Sequence, residues 1–280
     1  MDFPPVVDLR SPAAVIAFSG WNDAGNAASD LITHLIAAYP GTDLGRIDDE
    51  RYWDFQHTRP MLRREADGPW IEWPAVRLRV VHHPERDIVA VVGPEPNMLW
   101  RSFSAELVAR LRAVSPELVV FLGAMLSDTP HSRPLPVGVY TTDPTVGARY
   151  AMEPNDYTGP TGMIGVASQQ MMDERIPAAS LWVSVPHYVS SPPNPKAQDA
   201  LLTELETLLR VQLDHAEIPE EAVKWSSAVD QLSRQDPDIA EYIGQLEEAR
   251  DAEQVEGATG DTIAAELEKF LRRQTGDDSR

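Results

Sequence analysis

The sequence contains no cysteine. That absence excludes disulfides, thiolate nucleophiles and cysteine-ligated zinc or iron–sulfur centres. Positive charge is scarce: 24 Lys and Arg stand against 44 Asp and Glu, a formal net charge of −20. Such a surface repels phosphate backbones and anionic lipid, so neither nucleic acid nor membrane is an expected partner. The plain use of the charge is solubility, and a partner with basic patches would be tolerated. Long apolar runs are missing too. Leu118 to Leu126 falls far short of the roughly 20 residues needed to span a bilayer. Met1 to Arg10 lacks the basic-then-apolar order of a secretory leader, which fits a cytoplasmic protein.

Catalytic signatures are absent as well. There is no Gly-x-Ser-x-Gly elbow and no His-Glu-x-x-His pair. His82 and His83 are neighbours on an expected strand, so they point to opposite faces and cannot share a metal. No metal and no cofactor is expected.

What is present is a hydrophobic fraction of 42% in 280 residues, enough for one large α/β domain or two small ones. The chain is organised around Phe18-Ser-Gly-Trp-Asn-Asp-Ala-Gly-Asn-Ala-Ala28. An apolar run, Ala13 to Phe18, reads as a buried strand, and Ala27 to Tyr39 reads as a helix. Glycines sit where the backbone must bend between them. Such a turn places free N–H groups of the helix start at the strand's carboxyl end, where open α/β sheets bind ligands.

Further along, Ile88 to Val92 reads as a buried strand, Asn97 to Val114 as a helix with Leu99, Phe103, Leu107 and Leu111 in its stripe, and Leu118 to Leu122 as another strand. Strand, helix, strand at this spacing predicts a mostly parallel sheet flanked by helices. Trp70 to Pro74 and Val76 to Val81 read as two short strands of a hairpin or edge. Val137 to Thr142 and Ala179 to Val185 read as further strands. A turn at Tyr157 to Gly165 opens a helix running to Ile176. Asn194-Pro195 caps another helix. After about His215 the composition becomes acidic and helical, so residues 1–215 are expected to form the α/β core and 216–280 a helical appendage. In that appendage Ile239, Tyr242, Ile243 and Leu246 share one face, Ile263, Leu267 and Phe270 mark a last helix, and Gln274 to Arg280 is expected to fray.

The candidate site residues fall in four segments. Gly20, Trp21, Asp23 and Gly25 form the first turn. That turn lacks the Gly-Lys-Ser/Thr ending of a phosphate loop, so Asp23 is expected to cap the helix. Glu95, between two prolines at a strand's end, could accept a proton or merely favour a helix N-terminus. His131 and Arg133 lie in the proline-rich loop Asp128 to Pro136. Histidine there could move protons and arginine could hold an anion, or both could be structural. Gly159 and Gly162 flank the turn at Pro160. Tyr52, Trp53, Trp70, Trp73 and Trp100 could be core or partner surface.

Six runs in order resemble one family: Phe18-Ser-Gly-Trp-Asn-Asp-Ala-Gly25, Tyr52-Trp-Asp-Phe55 with Arg59-Pro60, Gly93-Pro-Glu-Pro-Asn-Met-Leu-Trp100, Pro130-His-Ser-Arg-Pro134, Tyr157-Thr-Gly-Pro-Thr-Gly162, and Leu181 to Tyr188 with Pro192 to Ala197. They resemble the proteasome assembly chaperone 2 family in its bacterial branch, from about Ala13 to about Leu213. The resemblance implies a nucleoside-phosphorylase-like α/β fold, self-association as a trimer, and a chaperone-like, non-enzymatic role with proteasome subunits as possible partners. Some eukaryotic members end in a hydrophobic–tyrosine–any tripeptide that docks into the proteasome ring. This chain ends Asp277-Asp-Ser-Arg280 and does not match it. The family carries over no catalytic residues. The alternative is an enzyme or a nucleoside or phosphate binder, which requires Gly20 to Gly25, Glu95 and the His131/Arg133 loop to meet around one cleft.

Overall fold

The computed structural model describes residues 8–150, 152–154 and 157–257. The expected last helix at Ile263 to Phe270, the frayed terminus and the final tetrapeptide lie outside them. Ten strands occur in the described chain: β1 Ala13–Ser19, β2 Gly41–Ile47, β3 Met61–Glu65, β4 Gly68–Glu72, β5 Val76–His82, β6 Asp87–Pro94, β7 Leu118–Ser127, β8 Val137–Thr141, β9 Glu153–Pro154 and β10 Ala178–Pro186. Seven α-helices accompany them: α1 Ala27–Ala38, α2 Trp100–Val114, α3 Pro144–Tyr150, α4 Met163–Asp173, α5 Pro195–Leu209, α6 Ile218–Ser233 and α7 Pro237–Gly257.

Eight strands form one sheet in the order β2-β5-β6-β1-β7-β10-β8-β9. The four central strands, β6, β1, β7 and β10, run parallel. Antiparallel pairings extend the sheet on either side, through β5 and β2 at one edge and β8 at the other. The fold is α/β, with helices on both faces of this sheet. The βαβ unit of β6, α2 and β7 does not join neighbours, because β1 is paired between its two strands.

β1 shows why both faces need covering. Its first six residues are buried, as a central parallel strand requires. Ala13, Val15 and Ala17 point to a core built with Leu31, Ile32 and Leu35 of α1 and Leu201, Leu202 and Leu205 of α5. Ala14, Ile16 and Phe18 point the other way, to Phe103, Leu107 and Leu111 of α2 and Met163, Ala167 and Met171 of α4. Truncating one of these large buried side chains to alanine costs about 2–5 kcal/mol. α6 continues the first layer, since Ile218 joins the α1/α5 core.

Two readings of the sequence are corrected. β4 and β5 are not a hairpin. β4 pairs with β3 in a separate two-stranded sheet, while β5 lies between β2 and β6 in the main one. Met61-Leu-Arg-Arg-Glu65 lacks the apolar alternation that marks a half-buried strand, and all five residues are exposed. The second correction concerns α2, which starts at Trp100 and not Asn97. Leu99 has a left-handed backbone, φ 54°, which ends the helix on its N-terminal side. The Asn97 side chain instead accepts hydrogen bonds from Asp54 N–H and the Thr58 hydroxyl.

Candidate functional site

The parallel strands β6, β1 and β7 all end on one rim of the sheet, where the turn from Gly20 to Gly25 leaves β1. Asn22 is buried there, and its carbonyl accepts from Ala124 N–H at 2.8 Å, which sews the turn to β7. The Asn22 amide donates to Glu95 Oε1 at 2.7 Å, and Met163 N–H donates to the same oxygen at 2.7 Å. Glu95 therefore serves the start of α4, whose own N-cap residue, Gly162, has no side chain to do so. A carboxylate at this end of a helix is favoured by the helix dipole. A larger residue at Gly162 would crowd the Asn22 amide that donates to Glu95, since an added Cβ would lie 2.4 Å from Asn22 Oδ1. Gly20 has φ 126° and stands beside Glu95, a conformation that suits glycine.

Trp21 projects from this braced turn and is 73% exposed. Burying such a large apolar side chain is the usual outcome, so a tryptophan held in water is informative. On the same rim Met98 and Leu99 follow β6, Met125 and Leu126 lie at the end of β7, and Tyr157 precedes α4. All five are exposed. Gly159 sits in the exposed loop next to Tyr157, whose hydroxyl donates to Pro160 O.

Asp23 and Gly25 turn the other way, toward α1 and α5. The buried Asp23 carboxylate accepts from Ala28 N–H at 2.8 Å, from Ser29 N–H at 3.3 Å and from the Ser29 hydroxyl at 2.5 Å. Burial pushes its carboxyl above the ordinary range, and these hydrogen bonds pull back against that. Gly25 carries a positive φ, and a Cβ there would lie 2.7 Å from that of Asn194. Asn194 is an N-cap, accepting from Ala197 N–H at 3.0 Å.

His131 and Arg133 form a separate group beneath α6 and α7. The His131 backbone N–H donates to the Tyr188 hydroxyl oxygen at 2.7 Å, and Nδ1 lies 2.8 Å from the same oxygen. Tyr188 has one proton to give and gives it to Nδ1. Nε2 then carries the ring proton and donates to Asp230 Oδ1 at 3.1 Å. Lys196 Nζ donates to the His131 carbonyl at 2.5 Å. Burial pushes the His131 imidazole and the Lys196 ammonium down, with Asp230 opposing both shifts, and pushes the Tyr188 phenol up to about 12. Arg133 is forked onto Asp251 by two bonds of 2.8 Å, lies 3.6 Å from Glu247, and is raised by the Asp251 pairing. Ser132 bonds Glu247, and the Tyr242 hydroxyl donates to Asp128 at 3.1 Å.

Gly20, Trp21, Glu95 and Gly162 are thus brought together, while His131 and Arg133 are not part of that group. The two groups share no hydrogen-bond partner among the described residues. Both ring nitrogens of His131 are engaged inside the protein and its side chain is 1% exposed. A cleft of about 520 Å³ lies elsewhere, near β4, lined by Arg46, Asp48, Phe55, Trp70 and Trp73 among others. The residues that organise the rim and the latch but escaped sequence reasoning are Asn22, Tyr188, Lys196 and Asp230. Asn22, Tyr188 and Lys196 lie within the runs that resemble the family, whereas Asp230 carried no signal.

The geometry defines an α/β protein with a braced, apolar carboxyl rim and a helical cover on the loop beside it. Its sequence matches the PAC2 family over residues 17–233, and the chain belongs to that family. It is similar to a PAC2 family protein of Streptomyces avermitilis, with 45% identity over 82% of this chain and 99% of the other and a TM-score of 0.77. It is also similar to a proteasome-assembly chaperone homologue of Mycobacterium tuberculosis, with 40% identity over 82% and 99% and a TM-score of 0.75. An archaeal proteasome activator of Pyrococcus furiosus shares the fold at 13% identity, covering 81% of this chain and 95% of its own, with a TM-score of 0.64. No functionally curated protein matches the chain. No described helix is long and apolar enough to cross a membrane.

Proposed function

We propose that this chain is a non-enzymatic, chaperone-like protein that self-associates, as a trimer, and binds protein clients at the carboxyl rim around Trp21, with proteasome subunits as the client class. The observation that carries the reading is the exposed Trp21 on a turn braced by Asn22, Glu95 and Gly162. A rigid aromatic anchor surrounded by apolar neighbours is what a protein-binding hot spot requires. The client class rests on family membership and on the 40% identical mycobacterial protein described as a proteasome-assembly chaperone homologue. In this reading residues 1–215 are the core and 216–280 an appendage, of which α6 and α7 cover the His131 loop.

The enzyme or small-ligand alternative loses support. Its acid–base histidine and anion-binding arginine are spent on Tyr188, Asp230, Glu247 and Asp251, and Glu95 is spent on Asn22 and Met163.

Titration of purified proteasome α-subunits with the full chain tests the proposal. Trp21→Asp is expected to weaken binding by about 30-fold or more, the loss typical of a hot-spot tryptophan at roughly 2 kcal/mol. Equal affinity for both proteins contradicts the rim as the docking site. Absence of binding by the wild type contradicts the client class.

A further inference from the structure

The β3–β4 ribbon is the least supported element of the fold. It belongs to no larger sheet, and a two-stranded hairpin is marginal in water on its own. Residues opposite one another in an antiparallel pair share a face. One face therefore carries Met61 with Glu72 and Arg63 with Trp70, and the other carries Leu62 with Ile71 and Arg64 with Pro69. Met61, Leu62, Trp70 and Ile71 are 52%, 58%, 42% and 44% exposed. Apolar side chains are therefore half exposed on both faces, and the ribbon's contacts with the rest of the described chain are confined to β4, where Trp70 and Ile71 line the cleft with Phe55 and Glu72 pairs with Arg77 of β5. Trp73 at the ribbon's base is 56% exposed as well, resting only one side on Phe55 with ring centroids 5.1 Å apart.

Charge points to the occupant. The whole chain carries −20, yet residues 59–77 hold four arginines against three acids. Two copies of so acidic a chain repel over most of their surfaces. They approach at least cost where the charge is locally reversed; Arg63 and Arg77 already pair with Glu72, which leaves Arg59 and Arg64 to face the acidic surface of the other copy. The free edge of β3 is also open to pairing. Met61 to Glu65 contains no proline, whereas β4 is interrupted by Pro69, and a proline-free edge can accept a further strand.

We infer that the β3–β4 ribbon is the self-association arm, seating against a second copy of this chain. The inference rests on the self-association in the proposed function and names the surface that performs it. The arm is distinct from the Trp21 rim, so assembly leaves the client surface open.

The test is the mass of the full chain by light scattering and sedimentation over a range of concentrations. Wild type and Trp21→Asp are expected to run as the same multimer, and the double variant Leu62→Asp/Trp70→Asp at the mass of one chain. The ribbon is separate from both cores, so the thermal midpoint of the double variant's core is expected to stay close to wild type. A double variant that keeps the multimer mass overturns the arm while leaving self-association intact. A wild-type chain that is monomeric throughout overturns both. Should the double variant fail to fold, Leu62→Cys supplies the second readout, since the chain has no other cysteine. A polarity-sensitive dye on that position is expected either to be shielded from an aqueous quencher within the multimer or to drive the mass to one chain. A fully quenchable dye within an intact multimer overturns the arm.

Discussion

At Asp23 a single carboxylate closes the start of α1, taking two backbone N–H groups and the Ser29 hydroxyl. Asp23→Ala is expected to cost about 1–2 kcal/mol of stability, the range for a lost helix cap, read as a shifted denaturation midpoint at unchanged slope. No change in midpoint would show that another group takes over. His131 gives a pH test. It faces Tyr188, Asp230, Lys196 and Glu247, and burial holds its imidazole below the ordinary value of about 6.5. The unfolded chain then binds the proton more readily than the folded one. The stability tied to neutral His131 is full above about pH 6.5 and is lost as the pH falls through the folded value. Wild type is expected to lose more stability than His131→Asn between about pH 7.5 and about pH 5.5, in denaturant titrations at the two values. Parallel losses contradict the assignment. The sequence pointed Asp23 at the helix start; the N-cap position is Asn26, and Asp23 reaches the Ala28 and Ser29 N–H groups from three residues upstream of it. The engagement of His131 was not legible, because Tyr188 and Asp230 lie 57 and 99 residues away and meet it only in the fold.

Among the elements, α7 is held to the core chiefly by polar contacts. Arg133 binds Glu247 and Asp251, Ser132 binds Glu247, and Tyr242 binds Asp128. Ile243 is buried, whereas Ile239 at the helix start is exposed, so the shared face expected there begins one turn later. Ion pairs this open to solvent hold only weakly. Arg133→Ala is therefore expected to speed amide exchange in residues 237–251 by about two- to fivefold, with β1 and β7 unchanged. Uniform exchange along the chain in both proteins contradicts a helix held by this latch. The central strands were legible because a strand buried on both faces is a short apolar run bounded by turns, as β1, β6 and β7 are. Of the ribbon, β4 was legible as a short strand near Trp70, but β3 and its pairing with β4 were not. β3 has neither alternation nor a core to face, and its strand state is defined only by pairing with β4. The start of α2 was misplaced for a related reason. The stripe from Leu99 to Leu111 has helical spacing, but the left-handed backbone at Leu99 leaves no mark in the sequence.

For the whole molecule, an acidic chain presents apolar clusters among its described residues at a rim anchored by Trp21 and on an arm bearing Leu62 and Trp70. The first is braced by buried hydrogen bonds and the second is not, which suits a preformed docking surface and an element ordered by assembly. Family membership was legible from six short runs. The division of labour between the rim and the His131 loop was not, because residue types alone cannot say which polar groups are already paired. The most direct test of the account is a side-chain oxidation footprint of the full chain, free and bound to proteasome α-subunits. The account predicts protection of Trp21, Met98 and Met125 on binding, with His131 silent in both states. Protection confined to other surfaces, or a footprint unchanged by the subunits, would contradict it.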